Sequence, residues 1–273
     1  MKFEKTEVWG FEHAIRGMRN PKESWSLSDS TFGICDEDEF LELIKEYPGL
    51  KPSDMILREK GRYCDVAAIG KNDMKLMRSL IKSGSEHRKF LRQIFISVDI
   101  TAPIFWWKEF DTYKIATTAN STSTMHKMTS KPITIDCFEI DDYRSDLPSD
   151  FSSVIGVEIS HFVKLLENLR QMHLDYLKAS KRPGISEAER KHFLRAAKKC
   201  WKEIIRWLPE SWLQTRTVTL DYEHIYAMRH QRKNHKLVEW SGKEFDEEIV
   251  TPSFMKWSDS LPYVKYLFDE VAE

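Results

Sequence analysis

The chain has 273 residues, 41% of them hydrophobic, enough to bury a core as one large domain or two modest ones. Its 42 basic and 43 acidic residues leave a formal net charge of -1, and a general polyanion binder carries a basic excess, so broad DNA or RNA binding is not expected. Cys35, Cys64, Cys137 and Cys200 lack CxxC spacing, and the chain has neither a signal-peptide stretch at its start nor a run as long as a membrane span, so reduced thiols, no zinc site and a cytoplasmic location are expected.

In chain order, Phe11 to Pro21 reads as a short helix stopped at Asn20-Pro21. Ser24 to Ser30 is polar, either a flap or a plain surface loop. A helix begins at Asp36, with Phe40, Leu43, Ile44 and Tyr47 at helical spacing, and Pro48-Gly49 stops it. Pro52 to Arg58 reads as a further turn of helix. Asn72 to Lys82 is amphipathic, with Met74, Met77, Leu80 and Ile81 on its apolar side and Ser83-Gly84 after it. In Phe90 to Thr101 the residues Ile94, Ile96, Val98 and Ile100 alternate, the period of a half-buried strand. Pro103 opens a helix over Phe105 to Tyr113. The Thr- and Ser-rich stretch after it is poor helix material and reads as loop or extended chain.

Ile133 to Ile140 reads as a second strand and Asp141 to Phe151 as an acidic loop. Two helices follow, Glu158 to Ser180 and Glu187 to Trp207, the second announced by Ser186 and Glu189 as a capping box. Gln214 to Leu220 alternates as a strand, and Asp221 caps a helix running to Val238. With no repeat and no convincing linker, the chain reads as one α+β domain, an antiparallel sheet packed with long helices.

The candidate chemistry centres on Thr112 to His126, where seven Thr and Ser, Asn120 and Lys114 follow the aromatic run Phe105-Trp106-Trp107. Hydroxyls and amides at that density suit an oxygen-rich ligand such as a nucleotide phosphate. Trp106-Trp107 could stack on a flat heterocycle or pack inside the protein, and the sequence leaves both open. The basic segment His224 to Lys236, with Arg229, Arg232, Lys233 and Lys236, reads as an anion clamp or as a solvated face. His87, in Gly84-Ser85-Glu86-His87, is a ligand contact or a turn residue. No GxGxxG, P-loop, nucleophile elbow or metal-ligand spacing is present.

Tyr113 to His126 resembles the signature of the flavin-dependent thymidylate synthases, Arg-His-Arg-x-x-Ser-x-Asn-Glu-x-Ser-x-Arg-Tyr. Thr118 stands for its first Ser, Asn120 for its Asn and Ser123 for its second Ser. The order of elements upstream is similar. Downstream, Arg206-Trp207-Leu208-Pro209 and the Thr-rich Thr215 to Thr219 resemble the family's pattern, and Arg232 falls at its nucleotide-gripping position. The departures are Tyr113 and Ile115 for two arginines, Ser121 for the Glu, and Met125-His126 for the closing Arg-Tyr. Asp221 and Glu223 stand where Asn and Arg are expected. Tyr and Ile cannot copy the bidentate fork of Arg, and each lost charged hydrogen bond costs about 1.5–3 kcal/mol of ligand binding.

The resemblance covers residues 70–240, leaving 1–70 as a divergent extension, with Arg16, Arg19 and Trp25 as replacement contacts, and 241–273 as a C-terminal tail. It implies a ThyX-like fold and a homotetramer with shared sites. It implies reductive C5 methylation of dUMP or a related pyrimidine nucleotide, using FAD, NADPH and methylenetetrahydrofolate. Arg232 and Ser123 then carry the catalytic role. Arg206, Ser121, Ser123 and Arg232 bind the nucleotide, and His87, Lys114, Thr118, Asn120 and Asp221 hold the cofactor. The alternative is a non-catalytic nucleotide-binding or regulatory protein on the same scaffold. A third reading is an unrelated α+β protein.

Overall fold

The computed structural model of the chain describes residues 1–35, 37–46, 64–140, 149–244, 247–248 and 252–269. The expected helical turn at Pro52 to Arg58, the stop at Pro48-Gly49 and the part of the acidic loop over 141–148 lie outside them. Strands and helices alternate as β1 (Lys2–Trp9), α1 (Phe11–Arg19), β2 (Thr31–Cys35), α2 (Glu37–Glu46), β3 (Cys64–Ala68) and α3 (Lys71–Lys82). Then come β4 (Phe95–Pro103), α4 (Ile104–Phe110), β5 (Thr118–Ser121), α5 (Thr124–Lys127), α6 (Ser149–Ala179) and α7 (Glu187–Arg206). The chain continues through β6 (Leu213–Asp221), α8 (Tyr222–Arg232), α9 (Val238–Ser241), the hairpin β7 (Lys243–Glu244) with β8 (Glu247–Glu248), α10 (Phe254–Ser260) and α11 (Val264–Phe268). One sheet has the strand order β1-β4-β6-β5, and β2 pairs antiparallel with β3. Among the described residues no helix is long and apolar enough to cross a membrane.

The chain divides into two compact units. The first comprises Met1, Ile100–Thr112 and Asn120–Arg216. Its core gathers Met128, Ile133, Phe138, Val163, Leu166 and Ile204 beneath the antiparallel pair α6 and α7. The capping box at Ser186 is formed in full, its hydroxyl accepting from the Glu189 N–H. Trp106 and Trp107 are completely buried, stacked edge-on against each other and packed on Phe110. They are core residues, so the stacking platform for a heterocycle is withdrawn.

The strand expected over Ile133 to Ile140 does not form. The Ile133 N–H donates to the Glu167 carboxylate instead of to a neighbouring strand. That carboxylate lies in a two-pronged pair with Arg170, whose guanidinium also donates to the Thr129 carbonyl. The Arg170 hydrogen bonds hold the Glu167 carboxyl below its usual range, burial opposing them. A 3-10 turn over Ile135–Cys137 then lets Ile133 and Phe138, an odd number of residues apart, both face inward, which an unbroken strand forbids.

The second unit comprises Lys2–Asp99, Tyr113–Ala119 and Thr217–Glu273. Phe11, Tyr222 and Tyr263 meet edge-on at its centre. The Tyr263 hydroxyl accepts from the Ile69 N–H and donates to the Ala67 carbonyl, tying α11 to the end of β3. Residues 241–273, bounded in the sequence as a tail, supply Phe254, Trp257, Leu261, Val264 and Leu267 to the buried set. Trp257 stacks on Phe3 at 4.7 Å and donates to Thr6.

The start of the expected strand at Phe90 is instead a 3-10 helix over Arg88–Gln93, because Phe90 and Leu91 are consecutive and both buried. From Ile94 onward the expected alternation holds. Gly10, at φ 98°, lets α1 begin against this turn, since a Cβ there would lie 2.1 Å from the Gln93 carbonyl oxygen.

The N-terminal 3-10 turns are fastened to α3 by charge. Arg19 and Asp73 are both buried and share a 2.6 Å bond. The other Asp73 oxygen accepts from the Ser28 and Ser30 hydroxyls and from the Asp29 N–H. Asp29 in turn accepts the Asn72 and Asp73 N–H groups at the start of α3, where its negative charge faces the helix N-terminus. Arg19 is thus committed inside the protein and is not a replacement contact for a ligand, while Trp25 is half exposed and donates to Asn20.

Candidate functional site

Within the second unit, α8 stops at Arg232 rather than running to Val238. Lys233 to His235 turn the chain, with His235 Nδ1 accepting the Leu237 N–H, and α9 then carries Trp240 to full burial. This break, which periodicity did not reveal, creates the site. The Arg232 guanidinium lies 4.8 Å from the Trp240 ring centroid and 5.6 Å from that of Tyr113. Its Nε donates to the Tyr113 hydroxyl at 3.0 Å, and that hydroxyl donates to Gln231 Oε1 at 2.7 Å. Tyr113, standing where the resembled signature has an arginine, holds Arg232 of the basic segment. A cation over an aromatic face with its Nε bonded keeps a fixed direction.

Arg229, one helical turn earlier, does something else. It is buried and donates to Ser258, Asp259 and Asp269, which neutralises it. The anion clamp expected over His224 to Lys236 therefore does not include Arg229. Of the segment's two arginines, Arg232 alone is half exposed, and Lys233 and Lys236 are exposed beyond the helix.

The other candidates in this unit are scattered in role. Lys114 is exposed, and its carbonyl accepts the Thr117 N–H across a turn whose Ala116 has φ 57°, the left-handed region unusual for a residue with a Cβ. Ile115 is 87% exposed, and the Thr117 hydroxyl is buried with no hydrogen-bond partner. Thr118 is exposed on β5. His87 precedes the 3-10 helix over Arg88–Gln93, where its N–H bonds the Gly84 carbonyl. Asp221 is buried and caps α8 by accepting the His224 N–H, so it is committed to structure. Its neighbour Glu223 binds Arg88.

His224 is the residue that sequence reasoning passed over inside its basic segment. Its Nδ1 lies 2.8 Å from the same Asp221 oxygen. The Asp221 hydrogen bond raises its pKa above 6.5, burial opposing it, and a hydrogen bond to the Ile115 backbone adds to the rise. His224 thereby ties the signature segment to the helix that carries Arg232. Because the folded state holds this proton more tightly than the unfolded chain, its stabilisation is complete below about pH 6.5 and is lost as pH rises through the folded pKa. A His224→Gln variant should therefore show a smaller fall in urea midpoint than the parent between mildly acidic and alkaline buffer. Parallel curves would remove His224 from the titration.

Within the first unit, Asn120 and Ser121 are exposed on β5, and the Ser123 carbonyl accepts the Lys127 N–H at the start of α5. Thr122 bonds the Thr215 carbonyl, and Gln214 donates to the Thr122 carbonyl and Thr124. Arg206 is exposed at the end of α7 and pairs with Glu203. A further cation, Arg216, went unremarked in the sequence. It lies 4.1 Å over the Trp107 ring and bonds Gln214 and Asp111. Among the described residues no group of three or more His, Cys, Asp or Glu could hold a metal ion.

No family model matches the chain, and no curated protein matches it. Solved structures do. The flavin-dependent thymidylate synthase ThyX from Helicobacter pylori, complexed with FAD and dUMP, is 13% identical over 100% of both chains with a TM-score of 0.51. A second structure of ThyX from that organism, with FAD and dUMP, gives 13% over 99% of this chain and 98% of that one, with a TM-score of 0.52. A UMP/dUMP methylase, PolB from Streptomyces cacaoi bound with 5-Br UMP, gives 12% over 88% and 96%, with a TM-score of 0.40. The likeness to the first two is one of fold, and it extends over the whole chain: this is a ThyX-like α+β fold.

Proposed function

We propose that the chain is a pyrimidine-nucleotide enzyme that carries out flavin-dependent C5 methylation of dUMP or a close relative. On this reading methylenetetrahydrofolate is the carbon donor and NADPH the reductant, and the protein acts in the cytoplasm as a homotetramer with shared sites. The observation that carries the reading is the fixed Arg232, laid on Trp240 and bonded to Tyr113, in a chain whose fold is ThyX-like along its length. A guanidinium aimed in advance stabilises negative charge on the pyrimidine edge without having to reorganise. Ser121, Ser123 and Arg206 join the nucleotide side on the resemblance.

FAD offers a diphosphate and a ring edged with carbonyl and N–H groups. Lys114, Thr118, Asn120 and the unpartnered, buried Thr117 hydroxyl match that mixture of one cation with neutral donors, and His87 belongs to the same set. Bound FAD would supply hydride chemistry after reduction. No thiolate is required, which agrees with the described cysteines: Cys200 is buried, and desolvation raises its pKa. Asp221 contributes by holding His224 and the start of α8.

A second reading, a non-catalytic nucleotide-binding or regulatory protein, is favoured by one observation. Ile115, where the signature has an arginine, is 87% exposed, and its side chain can give a phosphate no hydrogen bond. Flavin absorption separates the two. Retention of bands near ~375 and ~450 nm after FAD addition and gel filtration supports the enzyme. A colourless protein whose melting temperature still rises with dUMP supports the binder. Neither flavin nor a dUMP shift sinks both.

A further inference from the structure

The net charge of -1 averages two unlike parts. From Lys164 to Arg206 the chain has twelve Lys and Arg against five Asp and Glu, leaving thirty basic against thirty-eight acidic elsewhere. The excess is concentrated on α7, where the stretch from Arg190 to Lys202 holds six cations and no acid. Lys191, Arg195, Lys198, Lys202 and Arg206 follow one another at three- and four-residue steps, and Lys199 lies beside Lys198, four residues past Arg195 and three before Lys202. At ~100° per residue they share an arc of roughly 100° and run for about 22 Å along the helix. All six are exposed, while Ala197, Cys200 and Ile204 on the other side are buried against the core.

Two of the six have acidic neighbours on their own helix, Lys191 with Glu187 and Arg206 with Glu203. Arg195, Lys198, Lys199 and Lys202 make no ion pair among the described residues. Like charges one turn apart destabilise a helix, so this face works against the stability of α7 and calls for an external counter-charge. Trp207, 62% exposed, stands just past the end of the stripe. A linear series of cations followed by an open aromatic face suits a strand of phosphates whose bases can stack. A bilayer is a poorer match, since an interfacial helix needs an apolar face to insert and that side of α7 is already buried, leaving Leu194 as its one exposed large aliphatic.

We propose that the outer face of α7 binds single-stranded nucleic acid through its phosphate backbone. This site lies on a different helix from Arg232 and does not depend on the nucleotide reading: Arg206 is common to both, and the variants that test the stripe leave it in place. The test is fluorescence anisotropy of a labelled, mixed-sequence single-stranded 20-mer with the full chain, over a salt series. Neutralising about five phosphates gives a log–log salt slope of roughly -3.5. Lys198→Glu/Lys202→Glu should weaken binding by tenfold or more without lowering the melting temperature, and Lys198→Gln/Lys202→Gln by an intermediate amount. The proposal is overturned by no binding at ~25 mM salt, or by variants that bind as the parent does. It is equally overturned if vesicles of phosphatidylserine bind while the oligonucleotide does not, or if the charge reversal abolishes self-association on gel filtration and leaves oligonucleotide affinity intact.

Discussion

Replacing Asp73 with Ala is expected to cost about 3–5 kcal/mol, the usual penalty for breaking a buried ion pair by removing one partner. Arg19, 5% exposed, would be left charged without its carboxylate. Ser28, Ser30 and the Asp29 N–H would lose their acceptor in the same step. Against a total stability of about 5–15 kcal/mol for an ordinary domain, that is a large share. Urea unfolding measures it, and a loss under about 1 kcal/mol would show that water replaces the network. A titration gives an independent check. Burial alone would raise the Asp73 pKa, but hydrogen bonds from Ser28, Ser30 and Arg19, with the Arg19 charge, outweigh it and hold the pKa below 3.8. The folded state therefore binds this proton less tightly than the unfolded chain. The stabilisation is present above about pH 3.8 and is lost as pH falls through the folded pKa. The parent should lose stability more steeply than Asp73→Ala in that acid range.

Asp73 also shows what the sequence conceals. The spacing of Met77 and Ile81 reveals the buried side of α3, yet Asp73 lies on that side one turn earlier, and its partner is 54 residues away in sequence. Local signals translate well. The capping box of α7, the Asp221 cap of α8 and the alternation from Ile94 all depend on residues within a few positions of one another. Strand β1 is not legible in the sequence because it is mostly exposed and Lys5 adopts φ 51°, which interrupts the alternation between Phe3 and Val8. The apolar run Ile133 to Ile140 misled because one carboxylate from α6 takes the N–H that a strand would have used. Two arginines three residues apart, Arg229 and Arg232, look equivalent in the sequence. Their fates diverge because Asp259 and Asp269, thirty and forty residues later, claim the first. The candidate site was legible as a composition and a resemblance. The Tyr113 and Trp240 contacts that fix Arg232 were not legible at all.

That fixed geometry leads to the second large effect. Arg232→Ala should weaken dUMP binding by about 10- to 150-fold, the equivalent of a charged hydrogen bond worth roughly 1.5–3 kcal/mol. The fold should survive, because Arg232 is half exposed and the buried anchor of α8 is Arg229. Arg232→Lys should recover little of the loss, since a point charge on a flexible stem cannot bond Tyr113 and present a planar fork to the ligand together. Tyr113→Phe is the finer probe. It removes the hydroxyl that accepts from Arg232 Nε while leaving the ring beside it, so it releases the guanidinium without deleting it. If Tyr113 acts by aiming Arg232, Tyr113→Phe should weaken dUMP binding in the parent and add nothing to Arg232→Ala, the non-additivity of two residues acting as one. Calorimetric titration of the four proteins of this cycle decides it. Additive losses would place Tyr113 directly on the ligand, and unchanged affinity in Arg232→Ala would remove Arg232 from the site.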